Sequence, residues 1–340
     1  MDSQEALAAA LASLNDERFR LGRYAYQGIT GGTQAAVWRG VPADGGSPVI
    51  ALRLTPKPLE LIRRIADAVD AITAVECPRT LSLGSVSIGD RTVTVQACTW
   101  IGSPAFPRSD MRLLGACLAS LHRELQASGR DFSDRKLTFD RAEVPALASE
   151  DQELPPWYVA THVWRQRIWA WLHLQARDLQ SQPVHGDMHW ANIVPVSGGF
   201  GFIDFDKVMH APPVFDLAKL IATGFFALGP RARFRERRVA ELLQGYTEIR
   251  SLSAQEAAAL EGVALLLNEQ TARLGAAYDI DSYRTQASAV GDWWIARSRR
   301  RRADPLGISD HAVAAPAARA ASLQLALWPD HDMACDQEGG

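Results

Sequence analysis

Between Pro183 and Lys207 the sequence reads PVHGDMHWANIVPVSGGFGFIDFDK. Asp187 and Asn192 stand there in a D-x-x-x-x-N spacing, in which an Asp can orient an acceptor hydroxyl and take its proton while an Asn offers an oxygen to magnesium. The segments NIVPV and FGFID read as strands joined by a turn at Ser197 to Gly199, and a hairpin folded there brings Asn192 and Asp204 beside each other. Asp204 then supplies the hard anionic oxygen that magnesium on phosphates requires. One Asp or Asn near a turn is ordinarily a capping residue. Three oxygen donors converging on one hairpin point instead to phosphoryl transfer.

HGDMHWAN followed by FIDFDKVMHAPPVFDLAKL resembles the signature of the aminoglycoside phosphotransferase and choline kinase family: H-G-D-x-x-x-x-N, then I-D-[FW]-[DE], then D-L-A. The resemblance is specific over residues 183–220 and compatible in organisation over 20–300. It implies a two-lobed, protein-kinase-like α+β fold and an enzyme using Mg2+ with ATP or GTP as phosphoryl donor. By position it makes Asp187 the catalytic base and Asn192 and Asp204 the magnesium ligands. His185 becomes a scaffold residue of the loop, and Asp216 buttresses that loop from the next helix.

The elements that must position these residues fall into two lobes. Over residues 1–100, a helix at 3–18, a β-meander over YAYQGITGGTQAAVWRGVPADGGSPVIALRLTP, a helix from Pro58 and two strands, TLSLGSVSIG and RTVTVQACTW, predict a five-stranded antiparallel sheet plus helix. Gly31, Gly32 and Thr33 lie in a turn whose backbone N–H groups can approach phosphates. Family members often carry G-G-x-[ST]-N there, whereas this chain has Gln34 and Ala35. Arg53 takes the position of the lysine in a V-A-I-K strand, and Arg can hold phosphate bidentately. Its expected helix partner is Glu60, with Asp67 on the same helix as an alternative. Gln96 to Trp100 is the expected hinge, with Ala97 and Thr99 presenting main-chain groups to the purine edge. Residues 101–305 form a mostly helical second lobe with the catalytic loop and acceptor pocket, with helices expected at 111–128, 157–180, 214–229, 232–248, 254–276 and 280–302. Residues 306–340 are a C-terminal extension.

Only a dozen residues separate Asp204 from Asp216 and no A-P-E motif follows, which is too short a segment to seat a peptide, so the expected acceptor is a small-molecule hydroxyl. Trp190, Asp206 and Glu269 are candidates for its pocket: Trp stacks on sugar rings and apolar faces, and Glu269, with Asp279, Asp281 and Asp292, could receive a polycation. The expected acceptor is an antibiotic, in a resistance or self-protection role. A metabolic kinase for choline, homoserine or a sugar is the alternative, and a nucleotide-binding pseudokinase scaffold, suggested by Arg53 and the altered Gly turn, is a second one. A net charge of -3 speaks against nucleic-acid or membrane surfaces as partners. No apolar run approaches the roughly 20 residues of a membrane span, and the N-terminus lacks a basic signal region, so a cytoplasmic protein is expected. Cys77, Cys98, Cys117 and Cys335 have no C-x-x-C spacing, which suggests neither a zinc site nor a disulfide framework. Among 36 basic residues only Lys57, Lys136, Lys207 and Lys219 are lysines.

Overall fold

A computed structural model of the 340-residue chain describes residues 3–14, 19, 23–29, 35–88, 91–105, 110–135, 155–175, 179–224, 226–227, 233–277, 281–291 and 293–295. Five strands, Tyr24–Ile29 (β1), Ala36–Pro42 (β2), Ile50–Thr55 (β3), Thr80–Ile88 (β4) and Arg91–Thr99 (β5), pair antiparallel in the order β1-β2-β3-β5-β4, as expected. Alternation along the strands divides their side chains between two faces. Ile50, Leu52, Leu54, Val95 and Ala97 pack with Ala6 and Ala10 from Ser3–Ser13 (α1), and with Leu14 just after it, in one apolar cluster. Arg53 therefore projects from the other face, toward the helical part of the chain.

The helix Leu59–Asp70 (α2) crosses that second face. Ile62, Ile65 and Val69 recur at helical spacing and are buried, and they belong to the same apolar cluster as the helices that follow. Those helices are Met111–Ala127 (α3), Pro156–Ala160 (α4), His162–Gln175 (α5), Val214–Gly224 (α6), Glu236–Ile249 (α7), Ala254–Ala277 (α8) and Asp281–Ala289 (α9). The expected hairpin is present as Ile193–Val196 (β7) with Gly199–Phe202 (β8). A second ribbon, Gln182–Val184 (β6) with Met209–Ala211 (β9), was not expected, because three-residue strands carry no readable period. The helix expected over 157–180 breaks at Thr161, whose hydroxyl donates to Trp157 O at 2.8 Å. The one expected over 214–229 ends at Gly224 and gives way to two short paired strands, Phe226–Ala227 and Arg233–Phe234. The run Arg299 to Arg302 and the extension 306–340 lie outside the described residues.

Trp157, Trp164 and Trp294 are buried core residues, while the side chains of Trp169 and Trp171 lie outside the described residues. Cys77, Cys98 and Cys117 are free thiols. No helix among the described residues is long and apolar enough to cross a membrane.

Helices α3 and α7 meet backbone to backbone through two glycines. A Cβ on Gly115 would lie 1.9 Å from Leu242 O, and one on Gly245 would lie 1.7 Å from Arg112 O. Because the obstacle is backbone, neither clash can be relieved by a rotamer change. Gly115→Ala is expected to destabilise the protein by about 1–3 kcal/mol, read as an earlier denaturant midpoint at unchanged slope. A midpoint equal to wild type would show that the two helices can part at no cost.

Candidate active site

The loop between β6 and β7 is shaped by one buried carboxylate. Asp216, on the first turn of α6 and fully buried, accepts from His185 N (2.8 Å) and Gly186 N (2.9 Å). It also accepts from His122 on α3 at 3.1 Å, whose other ring nitrogen lies 2.8 Å from the Tyr246 hydroxyl on α7. The chain of bonds is complete when the Tyr246 O–H donates to Nδ1 and Nε2–H donates to Asp216. The His185 ring lies 2.9 Å from Ile203 O, tying the loop to the end of the hairpin. Gly186 has φ +78°, and a Cβ there would lie 2.1 Å from Lys207 O, so only glycine fits between His185 and Asp187.

Asn192 and Asp204 meet at the open end of the hairpin. Ile193 pairs with Phe202, and Ile203 N donates to Asn192 O at 3.1 Å. The Asn192 amide nitrogen donates to Asp187 O at 2.9 Å, which joins the loop and leaves the amide oxygen for another partner. Asp204 adopts a left-handed backbone, φ 64° and ψ 59°, uncommon for a residue with a side chain, and its carboxylate is 46% exposed. An amide oxygen and an exposed carboxylate are hard donors that fill part of a coordination shell. That fits magnesium, which is bound through one or two carboxylates and completes its octahedron with phosphate and water oxygens.

Cations crowd these aspartates. Arg53 on β3 reaches Asp204 and Asp206, each at 3.0 Å. Lys57 lies 3.8 Å from the Asp206 carboxylate and donates to its carbonyl at 2.5 Å, and Arg135 donates to that carbonyl at 3.1 Å. Burial would lower the Arg53 guanidinium, but Asp206 and Asp204 push it above its ordinary value. Asp187 carries one ammonium on each oxygen: Lys219 of α6 on Oδ1, and Lys207 on Oδ2 at 2.8 Å. Burial works to raise the Asp187 carboxyl, yet the two lysines prevail and hold it well below the usual carboxylate range. His189, 3.9 Å from Asp187 Oδ2, is pushed down to about 4 by burial, against the pull of Asp187, and is neutral near pH 7.

Five expectations change here. Glu60 does not meet Arg53: it is exposed in the first turn of α2, paired with Arg63 at 2.5 Å, because the buried stripe of α2 turns that position to solvent. Asp206 is not turned to an acceptor, since its carboxylate is taken by Arg53 and Lys57. Glu269 is buried and ion-paired with Arg165 (2.8 Å) and Arg273 (2.6 Å), so it ties α5 to α8 instead of lining a pocket. At the expected hinge, Ala97 is paired between Leu52 of β3 and Ser82 of β4 within the sheet, and the main-chain N–H of Thr99 donates to Arg79 O. Asp281 is held at the surface by Arg284. Trp190 opens the 3-10 turn Trp190–Asn192 and is 45% exposed beside the loop. Gly31, Gly32, Thr33, Asp279 and Asp292 lie outside the described residues. Lys57, Lys207, Lys219 and His122 had been given no role in the site, although the scarcity of lysine was a signal: three of four lysines stand here.

Removing the Asp216 carboxylate orphans two buried loop N–H groups. Asp216→Ala is expected to cost about 2–4 kcal/mol, measured by equilibrium unfolding. A loss below about 1 kcal/mol would mean that the loop keeps its course without that carboxylate.

The fold recurs in solved structures. A microcompartment-associated aminopropanol kinase superposes with a TM-score of 0.65 at 16% identity, covering 89% of this chain and 98% of its own. The amicoumacin kinase hAmiN, in complex with AMP-PNP, Ca2+ and Ami, gives 0.60 at 15% identity, covering 92% and 97%. A choline/ethanolamine kinase family protein from Mesorhizobium loti gives 0.56 at 16% identity, covering 95% and 98%. At such identities the likeness establishes the fold, α+β and kinase-like, and not the acceptor. The sequence has no significant match among curated proteins. The profile of the phosphotransferase enzyme family, APH, matches residues 25–252, well over half of the chain, and the protein belongs to that family.

Proposed function

We propose that the protein transfers the γ-phosphoryl group of ATP or GTP, taken as the magnesium complex, to a hydroxyl of a small molecule. The observation that carries this reading is the meeting of Asp187, Asn192 and Asp204 around one hairpin end, with Arg53 reaching across from the sheet. Asp187 aligns the acceptor hydroxyl. The acceptor oxygen bonds to the γ-phosphorus as the bond to the β–γ bridging oxygen breaks, and that bond's electron pair leaves with the nucleoside diphosphate. The hydroxyl proton passes to the Asp187 carboxylate. A carboxylate of such low basicity orients the hydroxyl first and receives the proton late, once bonding to phosphorus has made it acidic.

Asn192 and Asp204 would hold magnesium, which when bound neutralises charge on the phosphates. Arg53 sits where it can exchange an Asp204 oxygen for a phosphate oxygen and keep its bond to Asp206. Gly31, Gly32 and Thr33 would cradle phosphates through backbone N–H groups. A small acceptor is supported by the stretch from Asp204 to Asp216, which is used up by the turn Phe205–Lys207, by β9 and by the start of α6. An antibiotic hydroxyl, in resistance or self-protection, and a metabolite hydroxyl both belong to this class.

Transfer to a library of hydroxylated compounds, read by the mass of one added phosphoryl group, tests the reading. Asp187→Ala is expected to lose about 10²- to 10⁴-fold in turnover while nucleotide affinity, measured by calorimetry, changes little. Full turnover in that variant would overturn the role of Asp187. Nucleotide binding by the wild type without transfer to any compound would favour the pseudokinase scaffold.

A further inference from the structure

We infer that the acceptor is itself anionic, a hydroxyl compound bearing a carboxylate or phosphate group, and that Lys207 reads that group. The inference rests on the phosphotransferase reading above and names its substrate class. A hydroxyl that donates to Asp187 must reach one of two oxygens of a side chain only 13% exposed, and an ammonium already crowds each of them. Lys219 is the less mobile of the two: it projects from the rigid helix α6 and its side chain is 19% exposed. Lys207 leaves a short turn on a flexible four-carbon stem and is 40% exposed. Lys207 is therefore the group that yields to the acceptor, and after yielding it remains within reach of whatever the acceptor carries next to its hydroxyl.

The charges around Asp187 set the sign of that neighbour. One carboxylate faces two ammoniums, so the acceptor side carries a surplus positive charge. Among the described residues, the acids expected near the acceptor are engaged elsewhere. Asp206 is held by Arg53 and Lys57, Asp204 by Arg53, and Glu269 by Arg165 and Arg273 in the core. A cationic acceptor would bring a third positive charge against two lysines in a partly dehydrated cleft, where like charges repel more strongly than in water. An anionic acceptor instead gives Lys207 a new partner when it leaves Asp187. Lysine chemistry suits this exchange, because an ammonium is a compact charge on a flexible stem and does not demand one fixed bidentate geometry.

The test sorts the same acceptor library by net charge and follows the best acceptor through Lys207 variants. Anionic compounds are expected to dominate the phosphorylated set. For the best of them, Lys207→Gln should raise KM about 10- to 100-fold, the loss expected for one hydrogen bond to a charged group. Lys207→Arg, which keeps the charge, should bring KM back toward the wild-type value while lowering kcat, because a guanidinium can grip both Asp187 oxygens. If Lys207 only clamped Asp187, Lys207→Gln would lower kcat alike for acceptors of every charge and leave KM unchanged, which overturns the inference. Phosphorylation confined to cationic or neutral compounds overturns it too, while leaving the phosphotransferase reading intact. A library in which nothing of any charge gains a phosphoryl group sinks both.

Discussion

The carboxylate of Asp216 has no exposure to water and is satisfied wholly by protein donors: two successive loop N–H groups and one imidazole. Burying such an anion is unfavourable unless its lone pairs are filled, so the loop backbone, α3 and α6 must adopt the one arrangement that fills them. Each neighbour inherits the constraint. His122 is fixed between Asp216 and Tyr246, which couples α3 to α7 at the place where Gly115 and Gly245 let the two backbones touch. Gly186 must be glycine because the path dictated by Asp216 runs against the Lys207 carbonyl. Asp187, next in the chain, is thereby fixed in place, its own N–H donating to the His185 ring at 3.3 Å.

Between the sheet and the helical part, charge takes over from packing. Arg53 stands on the sheet face opposite the α1 core, and its two bonds, to Asp204 and Asp206, join the sheet to the turn that follows the hairpin. Both partners lie within one short turn, so a shift of that turn changes both contacts together. Exposed ion pairs contribute little to stability, but these involve a guanidinium only 16% exposed, where screening is weaker. The left-handed backbone of Asp204 belongs to the same arrangement. It turns the carboxylate out toward Arg53 while Phe205 turns inward to stack beside His185, with ring centroids 4.7 Å apart.

What could be read from the residues alone follows from sequence distance. Asn192 and Asp204 flank one hairpin and Asp187 stands five residues before Asn192, so strand alternation, a Ser-Gly-Gly turn and a short loop suffice to bring them together. The five strands were legible for the same reason, each being bounded by turn residues. Glu60 was misread because counting acids on a helix does not fix which way the helix is rotated; the buried stripe of Ile62, Ile65 and Val69 does, and it turns Glu60 outward. Glu269 was misread because charge normally signals exposure, whereas here two arginines 104 and four residues away neutralise it in the core. Lys219 escaped notice because it reaches Asp187 only through the fold of α6 against the loop, a contact over 32 residues that no local pattern encodes.

The distribution of lysine and arginine bears on how such a site can work. Arginine predominates throughout the chain, including the buried structural pairs of Arg165 and Arg273, where a rigid fork keeps its bonds once made. Lysine is retained at Lys57, Lys207 and Lys219, where the ammoniums contact carboxylates facing the cleft. On the proposed reading Asp187 must change partners in each turnover, as the acceptor hydroxyl arrives and leaves. A bidentate guanidinium on Asp187 would hold both oxygens in one plane and compete with the acceptor hydroxyl for each. Two independent ammoniums let one oxygen be released while the other stays held, so Asp187 keeps its position as the hydroxyl enters. Arg53, which bridges two different aspartates, achieves a similar result by another route, since giving up Asp204 to a phosphate leaves its bond to Asp206 in place.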